Sequence, residues 1–397
     1  MNTARRHDQG MESPRTWLSC RRWMLPVALC LVTPSLAWAN AGTALIWARA
    51  FHLLFGNAVI GFAEGLVLAA LFKSRRRSAV GLMIVANYAS AWAGGALLLQ
   101  WLAPQVPVDI ANLRLWFWAF AVLAFAVTLA IELPFVRLAF GRRPDGWRAA
   151  MRGTLIVNAI SYPVLFGCYW LASGTSLLTS VSVVRAVELH PSTDYVLYYL
   201  TKDGEVMRSD LTGGGREKVA ELGTVEHNDR LYVRPDAAGG FDLFAVQISE
   251  NRNKQRTVPV LQNFADNAAV DARMRRLEAQ EANMSWYNFG EVAKLGVDSP
   301  WAMRVGFWAV EGISGYREDS GERFWYSLET PFVQWRVRNA THLKGDLVLL
   351  QLGDDQICLL DPLEKRIALV TRGQGPVVAL GVPAKSSLGK VVSEGGP

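Results

Sequence analysis

Residues 57–90 read NAVIGFAEGLVLAALFKSRRRSAVGLMIVANYAS. An apolar run, a loop with four positive charges (Lys73, Arg75, Arg76, Arg77) and a second apolar run follow one another directly. Each run belongs to a stretch of about 20 residues or more, enough to cross a bilayer. A basic loop between two such stretches marks a membrane hairpin whose turn stays inside. One acid, Glu64, interrupts the first helix, and Asn87-Tyr88-Ala89-Ser90 interrupts the second. An ionisable group in hydrocarbon costs roughly 2.5–3.5 kcal/mol on insertion scales, so it faces the bundle interior and marks a site.

Working outward, the same unit recurs. Glu132 lies in a third apolar run, and Asn158-Ala159-Ile160-Ser161 in a fourth. Aligning Glu64 with Glu132 also brings Phe72 onto Phe140, each just ahead of a basic loop. The fold expected for residues 40–180 is therefore an α-helical four-helix transmembrane bundle. Its spans fall near 44–72, 79–103, 113–136 and 154–172, and the two helix pairs read as a parallel repeat about an axis along the membrane normal.

Asn87 and Ser90 share one helical face, as do Asn158, Ser161 and Tyr162, and Asn57 lies two turns before Glu64 on its stripe. Pro134 and Pro163 free backbone carbonyls nearby. The expected intramembrane polar cluster is Glu64, Asn87, Ser90, Glu132, Asn158, Ser161, Tyr162 and Asn57. In one reading, neutral glutamates bond Asn and Ser across helices and fix register, each bond averaging well under ~1 kcal/mol. In the other, the glutamates bind and release a proton or cation. Gly61, Gly65, Gly94 and Gly95 are expected to let helices approach closely.

Charge is distributed to match. Residues 1–180 hold 16 basic and 6 acidic side chains, and residues 181–397 hold 25 and 29. The basic excess sits in two short loops, the second carrying Arg142, Arg143, Arg148 and Arg152 against Asp145. Both loops are expected in the cytoplasm, with the C-terminal half outside. Trp47, Trp101, Trp116 and Trp170 fall at the outer helix ends, where such rings favour the headgroup level. Residues 1–39, with Arg21-Arg22, an apolar run and Ala37-Trp38-Ala39, read as a signal peptide or a retained N-terminal helix. The mildly acidic second half argues against a nucleic-acid partner. Four scattered cysteines make neither a zinc site nor a disulfide framework, and Cys358 reads as a small buried hydrophobe.

From about Ser180 the pattern changes to short alternating strands. Expected strands are 183–189, 195–201, 205–211 and 218–222, then 335–341, 347–352, 356–360 and 366–371, with a pair 230–234 and 241–248 between them. Lys202-Asp203-Gly204 and Gly353-Asp354-Asp355 mark hairpins. The stretch YYLTKDGEVMRSDL, residues 198–211, resembles the inner strands of β-propeller repeats. That resemblance implies a propeller-like domain over 181–383; a β-sandwich or curled sheet is the alternative. Asp266–Glu281 is charged and helix-compatible, and residues 384–397 read as a disordered tail.

No HExxH, GxSxG, P-loop or dinucleotide fingerprint is present, so no catalytic residue, cofactor or metal is expected. His190, Ser192 and Asp194 are expected in a turn, and Trp286, Tyr287, Trp301, Trp308, Trp325, Tyr326 and Trp335 in core or along a binding face. The expectation is a polytopic envelope protein, in a bacterial inner membrane, anchoring an extracytoplasmic scaffold domain that meets a protein partner. The rival is a small proton- or cation-coupled permease built on the polar cluster. Four helices leave little room for a path, so that rival needs a homodimer.

Overall fold

The computed structural model describes residues 43–174, 176–223, 229–236, 239–248, 255–268, 290–306 and 311–380. The N-terminal segment, most of the charged stretch 266–281, Trp286, Tyr287, Trp308 and the C-terminal tail lie outside them.

Among the described residues, four helices are long and apolar enough to cross a membrane: α1 (Ala44–Phe72), α2 (Arg76–Gln105), α3 (Leu113–Ala139) and α4 (Gly146–Ala172). Thr43 caps α1, its hydroxyl accepting from the Ile46 amide at 3.2 Å. Lys73 adopts a left-handed conformation (φ 50°) that ends α1 and turns the chain into α2. The expected α4 starts eight residues late. Apolarity detects only the hydrocarbon-facing part, whereas the helix continues back through Arg152 and Arg148 to Gly146. Pro134 and Pro163 both lie inside helices.

Helices α1 and α2 approach closely, and two glycines allow it. A Cβ at Gly65 would sit 2.4 Å from the Val80 Cα, and one at Gly61 2.6 Å from the Ile84 Cα. Gly95 faces open space, and a Cβ at Gly94 would meet only Val127 at 3.8 Å, so the expectation of close packing fails there. The two basic loops meet at one end of the bundle, where an Arg143 guanidinium nitrogen donates to the Lys73 carbonyl at 3.1 Å.

The remainder is mainly β, in several sheets. One six-stranded sheet runs Ser182–Arg185, Arg366–Arg372, Gln356–Asp361, Val348–Leu352, Val337–His342, Ala293–Lys294 in spatial order. A five-stranded sheet places Gln374–Leu380 between Tyr195–Leu200 and Asn267–Ala268. Three- and four-stranded sheets complete it, the former containing the expected pair Arg230–Pro235 and Phe241–Ile248. Both expected hairpins form, Tyr195–Leu200 with Glu205–Ser209 and Val348–Leu352 with Gln356–Asp361. The propeller expectation is not met: no closed barrel or propeller forms among the described residues. Propeller blades are separate antiparallel four-stranded sheets. Here the first strand, Ser182–Arg185, pairs in parallel with Arg366–Arg372, and Gln374–Leu380 pairs with Tyr195–Leu200. The two ends of the domain are thus woven together rather than arranged radially.

The β region sits on the end of the bundle opposite the basic loops. The α2–α3 connection reaches into it: Ile110 and Leu113 are buried in one hydrophobic core with Trp301, Met303, Trp335 and Val348. The Ile110 amide donates to the Gln356 side-chain oxygen at 2.9 Å, and Arg372 pairs with Asp109 at 2.5 Å. Phe332 packs its ring on Phe117 and Phe120 of α3, with centroids 5.6 and 5.7 Å apart. An Arg49 guanidinium nitrogen on α1 donates to the Thr330 carbonyl at 2.5 Å.

Candidate functional site

In the part of the bundle nearer the basic loops the two glutamates converge. Glu64 and Glu132 are 4% and 1% exposed, in a bundle whose exposed large side chains include many apolar ones. Within the first helix pair, Asn87 Nδ2 on α2 donates to Glu64 Oε2 on α1 at 2.6 Å. Within the second, Asn158 Nδ2 on α4 donates to Glu132 Oε2 on α3 at 2.8 Å. Each amide makes a second bond to the carbonyl four residues back, Met83 and Thr154 respectively, both 3.1 Å.

Serines cross between the pairs. Ser90 Oγ on α2 donates to Glu132 Oε1 at 2.9 Å. Ser161 on α4 faces Glu64 on α1, while its hydroxyl donates to the Asn158 carbonyl at 3.5 Å. The Ser90 hydroxyl also lies 3.1 Å from the Asn87 carbonyl, so its one proton has two acceptors within reach. Each asparagine therefore serves the acid of its own hairpin and each serine faces the acid of the other. That pattern maps onto itself when the two pairs are exchanged. Phe72 and Phe140, the residues aligned with one another in sequence, meet at 5.1 Å between ring centroids. A parallel repeat about the long axis of the bundle accounts for both observations.

Six of the eight expected residues thus come together. Tyr162 is held beside the cluster by a 2.8 Å bond to the Thr128 hydroxyl. Asn57 lies further toward the outer end, fully buried, with its amide nitrogen lacking a hydrogen-bond partner. It neighbours His52, whose Nδ1 is 3.0 Å from the Tyr169 hydroxyl. That His52–Tyr169 contact escaped the sequence reading, because 117 residues separate the two and neither sits in a repeated pattern.

The β region offers less. Trp301, Tyr326 and Trp335 are core, and Trp325 donates its indole N–H to the Glu311 carbonyl at 2.5 Å. His190 is exposed in a left-handed turn, while Ser192 donates to Asp194, which pairs with Lys344 at 3.0 Å. This is turn chemistry, without triad geometry. Cys358 is fully buried, and burial pushes its thiol well up from the ordinary value. A cavity of about 410 Å³ is lined by Tyr199, Thr201, Arg216, Thr371 and Arg372 over an apolar floor. Among the described residues no three His, Cys, Asp or Glu side chains are grouped to hold a metal.

Buried at the junction of the two regions is Glu329, 0% exposed, which accepts from the Gln334 amide at 3.3 Å. Burial raises its carboxyl above the ordinary value, against the opposing pull of Thr43, Arg49, Ser327 and Gln334. No family model and no curated protein sequence matches the chain.

Proposed function

We propose that the chain is an integral membrane protein whose four helices anchor a β-rich scaffold domain on the outer face of the membrane. Large apolar side chains turned outward along every helix support insertion: Leu54, Val59, Trp92, Trp118, Val122 and Val164 are each more than half exposed. A soluble protein does not carry a girdle of that extent. Basic loops at one end and the β region at the other support the orientation. The observation that carries the scaffold reading is the shared core at Ile110 and Leu113. It seats the β region on the bundle, as suits a domain that presents a surface to a protein partner. A bacterial inner membrane with the domain in the periplasm is the setting we infer.

Reporter fusions test the orientation: one after Arg77 reports the cytoplasm and one after Leu380 the outside. The reverse result overturns the model. Photocrosslinkers at the exposed Tyr316 and Leu363 test the scaffold. One recurrent partner is expected, unchanged when Glu64 and Glu132 are both glutamine.

A second reading, a proton- or cation-coupled permease, has one observation in its favour. Glu64 Oε1 is buried without a hydrogen-bond partner, which a saturated structural cluster would avoid. Loss of an uptake phenotype in Glu64→Gln/Glu132→Gln at unchanged protein level and melting temperature would favour it over the scaffold.

A further inference from the structure

Helix α4 begins before its apolar part does. That part, residues 154–172, measures about 28 Å at ~1.5 Å per residue, close to the roughly 30 Å of a bilayer's hydrocarbon. Residues 146–153, which are helical as well, therefore stand at the headgroup level of the basic end. Two stripes run side by side here. Trp147, Met151 and Leu155, spaced by four, are each more than half exposed. Arg148 and Arg152 form the adjoining stripe, four apart on one face, and both are exposed.

The other arginines at this end are engaged within the fold. Arg137 lies over the Trp147 ring, 5.9 Å from its centroid, in space that a Cβ at Gly146 would take. Arg143 donates to the Lys73 carbonyl and lies over the Phe140 ring. Arg148 and Arg152 have no hydrogen-bond or ion-pair partner among the described residues, and Asp145, the one acid of their loop, pairs with neither. A guanidinium presents N–H groups in a fork that matches the oxygens of a phosphate. The apolar stripe beside the pair matches an acyl chain, and a phospholipid carries both groups in one molecule. Two cations against one phosphate leave a positive charge over, which disfavours a headgroup that brings its own ammonium.

The internal repeat supplies a comparison. Aligning Asn87 with Asn158 brings Arg77 onto Arg148 and Gly81 onto Arg152. Gly81 faces open space, so the first half offers one cation where the second offers two.

We propose that Arg148 and Arg152 hold the phosphate of an anionic phospholipid whose acyl chain lies along Trp147, Met151 and Leu155. The site rests on the membrane reading above, to which it adds a ligand class and a place.

The full chain in a neutral detergent, titrated with phosphatidylglycerol or phosphatidylcholine of identical acyl chains, provides the test, with bound lipid counted by native mass spectrometry. Phosphatidylglycerol is expected to bind on the order of 25-fold more tightly, about fivefold for each arginine. Arg148→Gln/Arg152→Gln should bring the two lipids level, and Arg77→Gln should leave the preference intact. Equal binding of both lipids by the unmodified chain, or a preference that survives the double substitution, overturns the site. A loss as large in Arg77→Gln would mean a diffuse basic surface and overturns it too, as does complete displacement of the lipid by inorganic phosphate. If the double variant fails to fold, Arg152→Gln alone decides: a loss of about fivefold supports the site, and no loss rejects it. Vesicle flotation keeps the two readings apart. A chain that floats with vesicles of either lipid yet shows no preference overturns the site and leaves the membrane reading standing, whereas one that floats with neither overturns both.

Discussion

Gly61 and Gly65 show how much a single hydrogen atom in place of a methyl group can decide. Any side chain there would meet backbone atoms of α2 that cannot move aside. Overpacking of this kind costs about 1–3 kcal/mol, so Gly65→Ala is expected to lower the melting temperature in detergent clearly. Gly81, which faces open space, is the control. There alanine restores helix propensity worth ~1 kcal/mol, and Gly81→Ala should be neutral or stabilising. Equal effects at the two positions would remove the close α1–α2 approach from the account.

Two buried titratable residues outside the helices make opposite pH contributions. His342 is fully buried, with Nε2 3.0 Å from Asp346 and Nδ1 unpartnered. Burial lowers its pKa below the ordinary 6.5, outweighing the upward pull of Asp346. The unfolded chain then binds more protons in that window, so stability is full above pH 6.5 and falls as pH drops toward the folded value. Glu329 has the reverse sign. Its folded pKa is raised above 4.5, so its contribution is full below that pH and is lost as pH rises through the folded value. In melting curves across this range, His342→Gln should flatten the acid-side fall and Glu329→Gln the loss on the other side. Variant profiles parallel to wild type would refute the assignment.

At the level of elements, the α2–α3 connection carries the junction, and magnitudes separate its parts. The Asp109–Arg372 ion pair is short, but the Arg372 side chain is 45% exposed. Exposed pairs contribute about 0.2–1 kcal/mol, so Asp109→Asn should change stability little and less still in high salt. Ile110 is 1% exposed in the core of the β region. Truncating a buried isoleucine costs roughly 2–5 kcal/mol, so Ile110→Ala should dominate. Hydrogen exchange at Val348–Leu352 and Gln356–Asp361 would locate the loss in the β region rather than the helices. If Asp109→Asn proved the more damaging, apolar docking would not be the main force at the junction.

Helices, hairpins and the polar cluster were legible because each leaves a local trace: a run of apolar residues, a Lys-Asp-Gly turn, a Glu followed at fixed spacing by Asn-x-x-Ser. The crossing of Ser90 to Glu132 was not, because a repeat places both residues in one interior without saying which acid each serine meets. What joins the bundle to the β region left no such trace. Arg49 and Thr330 are 281 positions apart, and Ile110 and Gln356 are 246. Nothing in the pattern around Phe332 distinguishes a residue that packs on α3 from one that packs at home. Gly61 and Gly65 are four apart and share one helical face, whereas Gly94 and Gly95 are adjacent and do not. The propeller expectation failed similarly, because strand spacing reports how often the chain turns back but not which strand the next one joins.

For the molecule as a whole, the sequence reading treats residues 181–383 as a domain in its own right, and the fold puts a condition on that. The weave of Ser182–Arg185 with Arg366–Arg372 and of Gln374–Leu380 with Tyr195–Leu200 closes the β region on itself. One of its cores is nevertheless completed by Ile110, Leu113 and Leu177 from outside that range. We predict that a fragment spanning 182–382 is soluble and β-rich by circular dichroism yet melts below the β region of the full chain. It should also bind an apolar dye that the full chain excludes at that face. Joining residues 106–113 to the fragment through a flexible linker should recover much of the difference, and the same addition with Ile110→Ala should not. A fragment as stable as the intact chain would show that the junction adds nothing. The β region would then be a tethered passenger rather than a domain seated on the bundle, and the shared core, the observation on which the scaffold reading rests, would no longer support it.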